Sequence, residues 1–214
     1  MIAIKEKPMS EPGRQAHWRK VYKEKGEKQV SWFQEKPALS LELIHGVGPK
    51  PNSAIIDIGG GASRLVDVLV SEGYRDLTVL DLSDDAVAIA RSRLAELAVM
   101  VKWIVADVTE WEPSRRYDLW HDRAAFHFLT EAADRAAYLD RMRQAIRPGG
   151  HAIIATFAID GPDRCSGLPV MRYDATLLSA ALGRAFALIG TRRQDHTTPT
   201  GGVQRFLFSV FRRE

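Results

Sequence analysis

The run Ile55-Ile56-Asp57-Ile58-Gly59-Gly60-Gly61-Ala62-Ser63, followed by Val79-Leu80-Asp81, constrains this chain more than any other feature. An apolar stretch of strand length runs into an acid and three glycines. A helix-like segment follows, and then a second apolar stretch that closes on an aspartate. This is the layout of a βαβ unit built around a nucleotide-type ligand. Glycines let a ligand approach the backbone at the carboxyl end of the first strand. An acid closing the second strand can accept hydrogen bonds from ribose hydroxyls.

The alternation continues along the chain. Strands are expected at 54–58, 77–82, 101–106, 117–121, 151–157, 185–192 and 204–211, and helices at 63–72, 84–98, 131–146 and 174–183. Gly73 closes the first of these helices and Ser83 caps the second, where its hydroxyl can accept an orphan amide. The third stops at Pro148-Gly149-Gly150. Ahead of the first strand, residues 1–13 read as a loose arm. A helix over 14–25 carries Trp18, Val21 and Tyr22 at helical spacing, and a loop over 26–36 holds Trp32-Phe33. A second helix spans 38–47 and ends at Gly48-Pro49. Strands alternating with helices imply a parallel sheet covered on both faces. Only a loop with Pro199, Gly201 and Gly202 joins the last two strands, so they form an antiparallel hairpin. The expected organisation is an arm and lid helix over 1–36 and a single α/β domain over 37–214.

The 214 residues fit one such domain. Net charge is +3, with acids and bases interspersed, which argues against a nucleic-acid partner. No apolar stretch reaches the ~20 residues of a membrane span. Lys5, Glu6 and Lys7 have no apolar core behind them, so no signal peptide is expected. The single cysteine, Cys165, excludes an internal disulfide and fits a reducing cytoplasm. It is read as incidental, in a loop. No metal site is expected, and the chain is expected to be a monomer or a weak homodimer.

The acids sharpen the site. In Asp57-x-Gly59-x-Gly61-x-Ser63, Arg64 stands where a dinucleotide-binding turn wants its third glycine. Asp107 closes the third strand and can accept from an adenine amine, while Val108 offers an amide and an apolar wall. Singly, each acid could be a helix cap or loop anchor. Three at successive strand ends suit a cofactor with a cationic amino-acid tail, a ribose and an adenine, and they would repel a pyrophosphate.

On these residues, and on the Arg147-Pro148-Gly149-Gly150 turn and the C-terminal hairpin, the chain from about residue 54 onward resembles the class I S-adenosylmethionine-dependent methyltransferases. The resemblance implies a Rossmann-like, seven-stranded, mostly parallel sheet with helices on both faces and an antiparallel C-terminal hairpin, its seventh strand between the fifth and sixth. It implies S-adenosyl-L-methionine as cofactor, with Gly59 and Gly61 against the methionine part, Asp81 and Leu82 at the ribose, and Asp107 with Val108 at the adenine. Ser63 departs from the glycine that many members carry.

The reacting end is expected beyond the fourth strand, where His121, Asp122 and Arg123 follow one another. His121 is the candidate base and Asp122 a base or its orienter. Arg123 could hold an anionic substrate or lower a thiol's pKa. His127 reads as a packed histidine. Trp18, Tyr22 and Trp32 can wall the sulfonium, or simply pack the helix onto the sheet. The acid-arginine pair, the Gly167-Leu168-Pro169-Val170 loop and the N-terminal Trp18, Tyr22, Trp32 and Phe33 are similar to those of thiopurine and related thiol methyltransferases. Similar acid-basic pairs occur in some protein-lysine methyltransferases. The expected activity is methyl transfer to a small-molecule nucleophile such as a thiol. The alternatives are a protein-lysine methyltransferase, a nucleotide-dependent oxidoreductase (against which Arg64, Asp57 and Asp107 speak) and a non-catalytic cofactor-binding subunit.

Overall fold

The computed structural model describes residues 11–214, so most of the arm expected over 1–13 lies outside the described residues. Helix α1 (Glu11–Gln29) bends at Gly26, whose φ of 60° a glycine adopts without a Cβ clash. Helix α2 (Ala38–Val47) ends on a left-handed Gly48.

Seven strands form the main sheet: β1 (Ala54–Ile58), β2 (Asp76–Asp81), β3 (Val101–Val105), β4 (Tyr117–Arg123), β5 (Ile146–Phe157), β8 (Phe186–Thr197) and β9 (Val203–Arg213). Their order is β3-β2-β1-β4-β5-β9-β8, and β9 runs antiparallel between β5 and β8. This is the topology that the resemblance implied. Strand β1 is buried along its whole length, as its unbroken apolar run demands of a central parallel strand. The chain moves outward through β2 and β3 and then crosses back to β4, so a crevice opens at the carboxyl ends of β1 and β4.

Helices cover both faces. One core packs α2 and α3 (Leu65–Ser71), through Ile44, Leu65 and Leu69, against Ile55, Leu77, Ile153 and Phe208. The other packs α5 (Ala132–Ala145) and α6 (Ala175–Leu182), through Tyr138, Met142 and Leu178, against Ile56, Trp120, Ile154 and Phe211. In α4 (Asp84–Leu94), Ser83 Oγ accepts the Ala86 N–H at 3.2 Å. Asp84 and Asp85 sit in the first turn and Arg91 and Arg93 in the last, as the helix dipole favours.

Several boundaries differ from expectation, among them α1, which runs to Gln29 rather than 25, and β8, which runs to Thr197 rather than 192. The helix expected to reach residue 98 ends at Leu94, where Ala95 takes φ 51°, and a 3₁₀ segment Ala95–Met100 follows. Strand β5 begins at Ile146 rather than 151, because Ile146 pairs with Tyr117 across a register shift ahead of the Pro148-Gly149-Gly150 turn. Strand β4 continues through Asp122 and Arg123, which pair with Ile154 and Ala155. A short hairpin, β6 (Arg164–Cys165) and β7 (Leu168–Pro169), turns through Ser166 and Gly167, both at positive φ, where sequence reading gave only a loop.

Candidate active site

A cavity of about 800 Å³, counting its mouth, opens at the carboxyl ends of β1, β2 and β4 beneath α1. Gly59, Asp81, Leu82, Asp107 and Val108 line it on the sheet side, and Trp18, Tyr22 and Trp32 on the other. Arg123, Phe128 and Cys165 complete its wall. A second cavity of about 550 Å³ adjoins it over the glycine turn, lined by Asp57, Gly60, Ser63, Arg64 and His121. Tyr22, Trp32, Gly59 and Arg123 line both.

The acids at the three strand ends are nearly closed off, with 5 % exposure for Asp57, 7 % for Asp81 and 8 % for Asp107. Asp81 Oδ1 accepts the Ser83 N–H at 2.7 Å. Burial, and then the charge of Asp57, push its carboxyl up to about 7 against the pull of neighbouring amides. Gly61 must be glycine, since a Cβ there would stand 2.5 Å from Asp81 Oδ2. Gly60 meets Asp57 in the same way. Asp107 Oδ1 accepts from the backbone and hydroxyl of Thr109 at 2.8 and 2.7 Å. Its Oδ2 accepts from Arg14 Nη2 at 2.8 Å, and Arg14 Nη1 reaches Asp134 at 2.5 Å. An adenine amine at Asp107 would therefore share Oδ2 with Arg14. These groups fit S-adenosylmethionine. Asp81 offers acceptor oxygens for a ribose, Asp107 and Val108 bound a flat apolar slot, and the glycine turn leaves room for an amino-acid tail.

Helix α1 is fastened over the cleft. Gln15 donates to Leu82 O at 3.3 Å, Arg19 pairs with Asp84 at 2.7 Å, and Glu27 takes both Arg64 at 2.7 Å and Arg93 at 2.5 Å. Val21 and Tyr22 pack on Ala62 and Ala86. Trp18 meets Trp32 and Phe128 edge-on, with ring centroids 5.5 and 4.9 Å apart.

The residues closing β4 divide by the strand's period of two. His121 and Arg123 point to the α1–α2 side, and Asp122 to the α5 side. His121 has both ring nitrogens engaged, Nδ1 with Asp57 Oδ1 at 2.6 Å and Nε2 with Ser40 Oγ at 2.9 Å. It lines the second cavity and no histidine lines the first, so the expected base has no free nitrogen to offer an acceptor. Asp122 has no exposed surface and lines neither cavity. It accepts from the amides of Ala125 and Phe126 and from Tyr138 Oη at 2.6 Å, and burial pushes it up to about 6. Only Arg123 of the three reaches the first cavity. His127 is packed against Phe128 and Phe157, and burial drives it down to about 3. Cys165, read as incidental, instead lines the cavity, and burial raises its thiol to about 11. Sequence reading assigned no role to Arg14 or Phe128. Nothing local marks either one, since the partners that place them at the cavity, Trp18 for Phe128 and Asp107 and Asp134 for Arg14, are distant in the chain.

Among the described residues, no helix is long and apolar enough to cross a membrane, and no group of three or more His, Cys, Asp or Glu side chains is placed to hold a metal ion. Residues 55–150 match the family model described as a methyltransferase domain. The chain is 28 % identical over 153 residues to a probable thiol methyltransferase 2 of Arabidopsis thaliana, covering 69 % of this chain and 66 % of that protein. It is 25 % identical over 146 residues to an eEF1A lysine and N-terminal methyltransferase of Danio rerio, covering 66 % of this chain and 21 % of that one. The chain thus spans less than two thirds of these curated relatives' lengths. The fold matches a Burkholderia thailandensis 1,6-didemethyltoxoflavin-N1-methyltransferase solved with its namesake compound and S-adenosylhomocysteine. That match has a TM-score of 0.69 at 20 % identity and covers 98 % of this chain and 93 % of that one. Residues 55–150 thus match a methyltransferase domain, on a fold shared with methyltransferases solved with S-adenosylhomocysteine bound.

Proposed function

We propose that this chain transfers the methyl group of S-adenosylmethionine to a small-molecule nucleophile, a thiol being the first acceptor to try. The observation that carries this reading is the cavity beneath α1. It holds Gly59, Asp81 and Asp107 on one wall and Arg123, Phe128 and Cys165 on another, and the fastened helix roofs it. A roof that encloses both parts favours a small acceptor over a protein lysine, although relatives of both kinds exist.

The cofactor supplies an activated methyl on a sulfonium, and the chain supplies position. Asp81 would take the ribose hydroxyls, Asp107 and Val108 would bound the adenine, and the turn at Gly59 and Gly61 would carry the methionine part. Trp18, Tyr22 and Trp32 wall the cavity and exclude water. Asp57 and His121 hold the glycine turn from behind, and Asp122 holds the turn after β4, so both act as positioning residues. Without a free histidine in the first cavity, rate rests on holding acceptor and methyl in line, an effect that can supply several kcal/mol. A protonated nucleophile must then lose its proton to water or arrive ionised.

Calorimetric titration with S-adenosylhomocysteine tests the cradle. Transfer of labelled methyl to thiols, small amines and lysate proteins tests the acceptor class. Binding together with label in small molecules is the expected result. No binding overturns the reading, and label confined to protein replaces it with the lysine alternative.

A further inference from the structure

Arg123 is held at one corner and across one face, and is left unpartnered along one edge. Its Nη1 donates to Trp32 O at 3.0 Å, and its guanidinium carbon lies 4.7 Å from the centroid of the Phe206 ring. Its Nε and Nη2 are closed off from solvent and have no hydrogen-bond partner. Nε–H and Nη2–H project from the same edge of the guanidinium, with the spacing that matches the two oxygens of a carboxylate.

Among the described residues, no acid is ion-paired with Arg123. Asp57, an acid whose charge reaches Arg123, is bound to His121 at 2.6 Å. The Cys165 thiol, raised to about 11, is neutral at physiological pH. His127 is neutral too, and its Nδ1 accepts the Phe157 N–H at 3.3 Å. Burial drives His196 down, with the charge of Arg123 adding to the effect. A buried cation with unmet donors costs stability, and the Trp32 carbonyl, the Phe206 ring and the more distant charge of Asp57 leave Nε and Nη2 without a partner. Arg123 stands where the two cavities meet, beside Gly59 and Trp32, while Asp81 and Asp107 lie along the cofactor cradle. Without an anion at this junction, guanidinium and sulfonium would be two like charges in one cavity.

We propose that the methyl acceptor carries a carboxylate, which Arg123 grips side-on through Nε and Nη2. The proposal rests on the methyl-transfer reading of this cavity and names the acceptor's class. The guanidinium is already oriented by Trp32 O and Phe206, so little rotamer freedom is lost on binding.

The test uses the full chain saturated with S-adenosylhomocysteine. Calorimetry compares benzoate with benzamide, 4-mercaptobenzoate with 4-mercaptobenzamide, and hexanoate with hexanamide. At least one carboxylate should bind tenfold or more tighter than its amide. Arg123→Met should erase that preference and Arg123→Lys should keep only part of it, with S-adenosylhomocysteine affinity within about twofold of the parent in both. Arg123→Lys preserves the charge and guards against a folding failure, which thermal melting reports. No preference in any pair overturns the proposal, as does a preference that survives Arg123→Met. A tenfold loss of S-adenosylhomocysteine affinity in Arg123→Met also overturns it, by assigning the arginine to the cofactor's own carboxylate. Failure of S-adenosylhomocysteine to bind the parent chain at all is a separate result, and it sinks the methyl-transfer reading itself.

Discussion

Asp57 and His121 are register partners on the adjacent parallel strands β1 and β4, and their side chains meet at 2.6 Å beneath the glycine turn. Ser40 of α2 closes the far side of the imidazole at 2.9 Å. The pair therefore ties helix α2, strand β4 and the first turn of the cofactor cradle into one buried chain. His121→Ala would leave the buried Asp57 carboxyl without its hydrogen-bond partner, and leaving a buried polar group unmet costs about 1–3 kcal/mol. Urea unfolding should show that loss, and S-adenosylhomocysteine affinity should fall with it. If His121 were instead a base, the variant would keep its stability and lose an ionisation from the pH profile of kcat.

Asp122 and Tyr138 form the corresponding tie on the opposite face of β4. Tyr138 donates to Asp122 Oδ2 at 2.6 Å and itself accepts from Trp120 Nε1 at 2.8 Å. Asp122→Asn puts an amide where the hydroxyl and two backbone N–H groups need acceptors. The cost is about 1–3 kcal/mol of stability, the usual penalty for unmet buried donors. Thermal unfolding should register it. A variant that melts like the parent but has lost turnover would return Asp122 to the reacting end.

Much of this architecture was legible because parallel strands write themselves as apolar runs and helices as interrupted periodicity. The ranges 38–47 and 54–58 read from sequence coincide with α2 and β1. The acids that close β2 and β3 were legible for the same reason: a charge at the end of an apolar strand must face the sheet's edge. Side-chain direction was the missed signal. Alternation along Leu119-Trp120-His121-Asp122-Arg123 already sends Asp122 away from its two neighbours, so three consecutive ionisable residues could not share one site. The pairing of Arg14 with Asp107 was not legible at all. Its partners lie 93 residues apart, and nothing local distinguishes Arg14 from a solvated arginine. The start of β5 was hidden by Pro148-Gly149-Gly150, which reads as a break although Ile146 before it is still paired.

Arg14 joins the roof to the cradle, bridging Asp107 at 2.8 Å and Asp134 at 2.5 Å from the first turns of α1. Arg14 and its two partners are at least partly shielded from solvent, so the bridge is worth more than an exposed pair, which typically contributes less than ~1 kcal/mol. Arg14→Ala should speed S-adenosylhomocysteine dissociation by about tenfold, equivalent to ~1.4 kcal/mol if association is unchanged. Stopped-flow fluorescence of Trp18 and Trp32, which line the cavity, would follow it. A dissociation rate equal to the parent's would mean that α1 does not gate the cofactor.

Asp81 gives the site a pH dependence of definite sign. Its carboxyl is raised to about 7 from an ordinary value of 3.8, chiefly by burial. The ligand-free fold therefore holds a proton that the unfolded chain would release, and stability without ligand should decline as pH rises from about 4 through 7. Ribose hydroxyls act in the opposite sense, because they donate to the ionised form. Binding of S-adenosylhomocysteine should expel that proton below pH 7 and tighten between pH 5.5 and 7.5. The limit is tenfold per pH unit, or about 1.4 kcal/mol. Calorimetry at pH 6 in buffers of different ionisation enthalpy should detect up to one proton released. Asp81→Asn removes both the proton and the charged acceptor. It should lose about 1.5–3 kcal/mol of affinity at pH 7.5 and bind with the same heat in every buffer. Unchanged affinity in Asp81→Asn, or proton uptake by the parent chain, would remove Asp81 from the ribose.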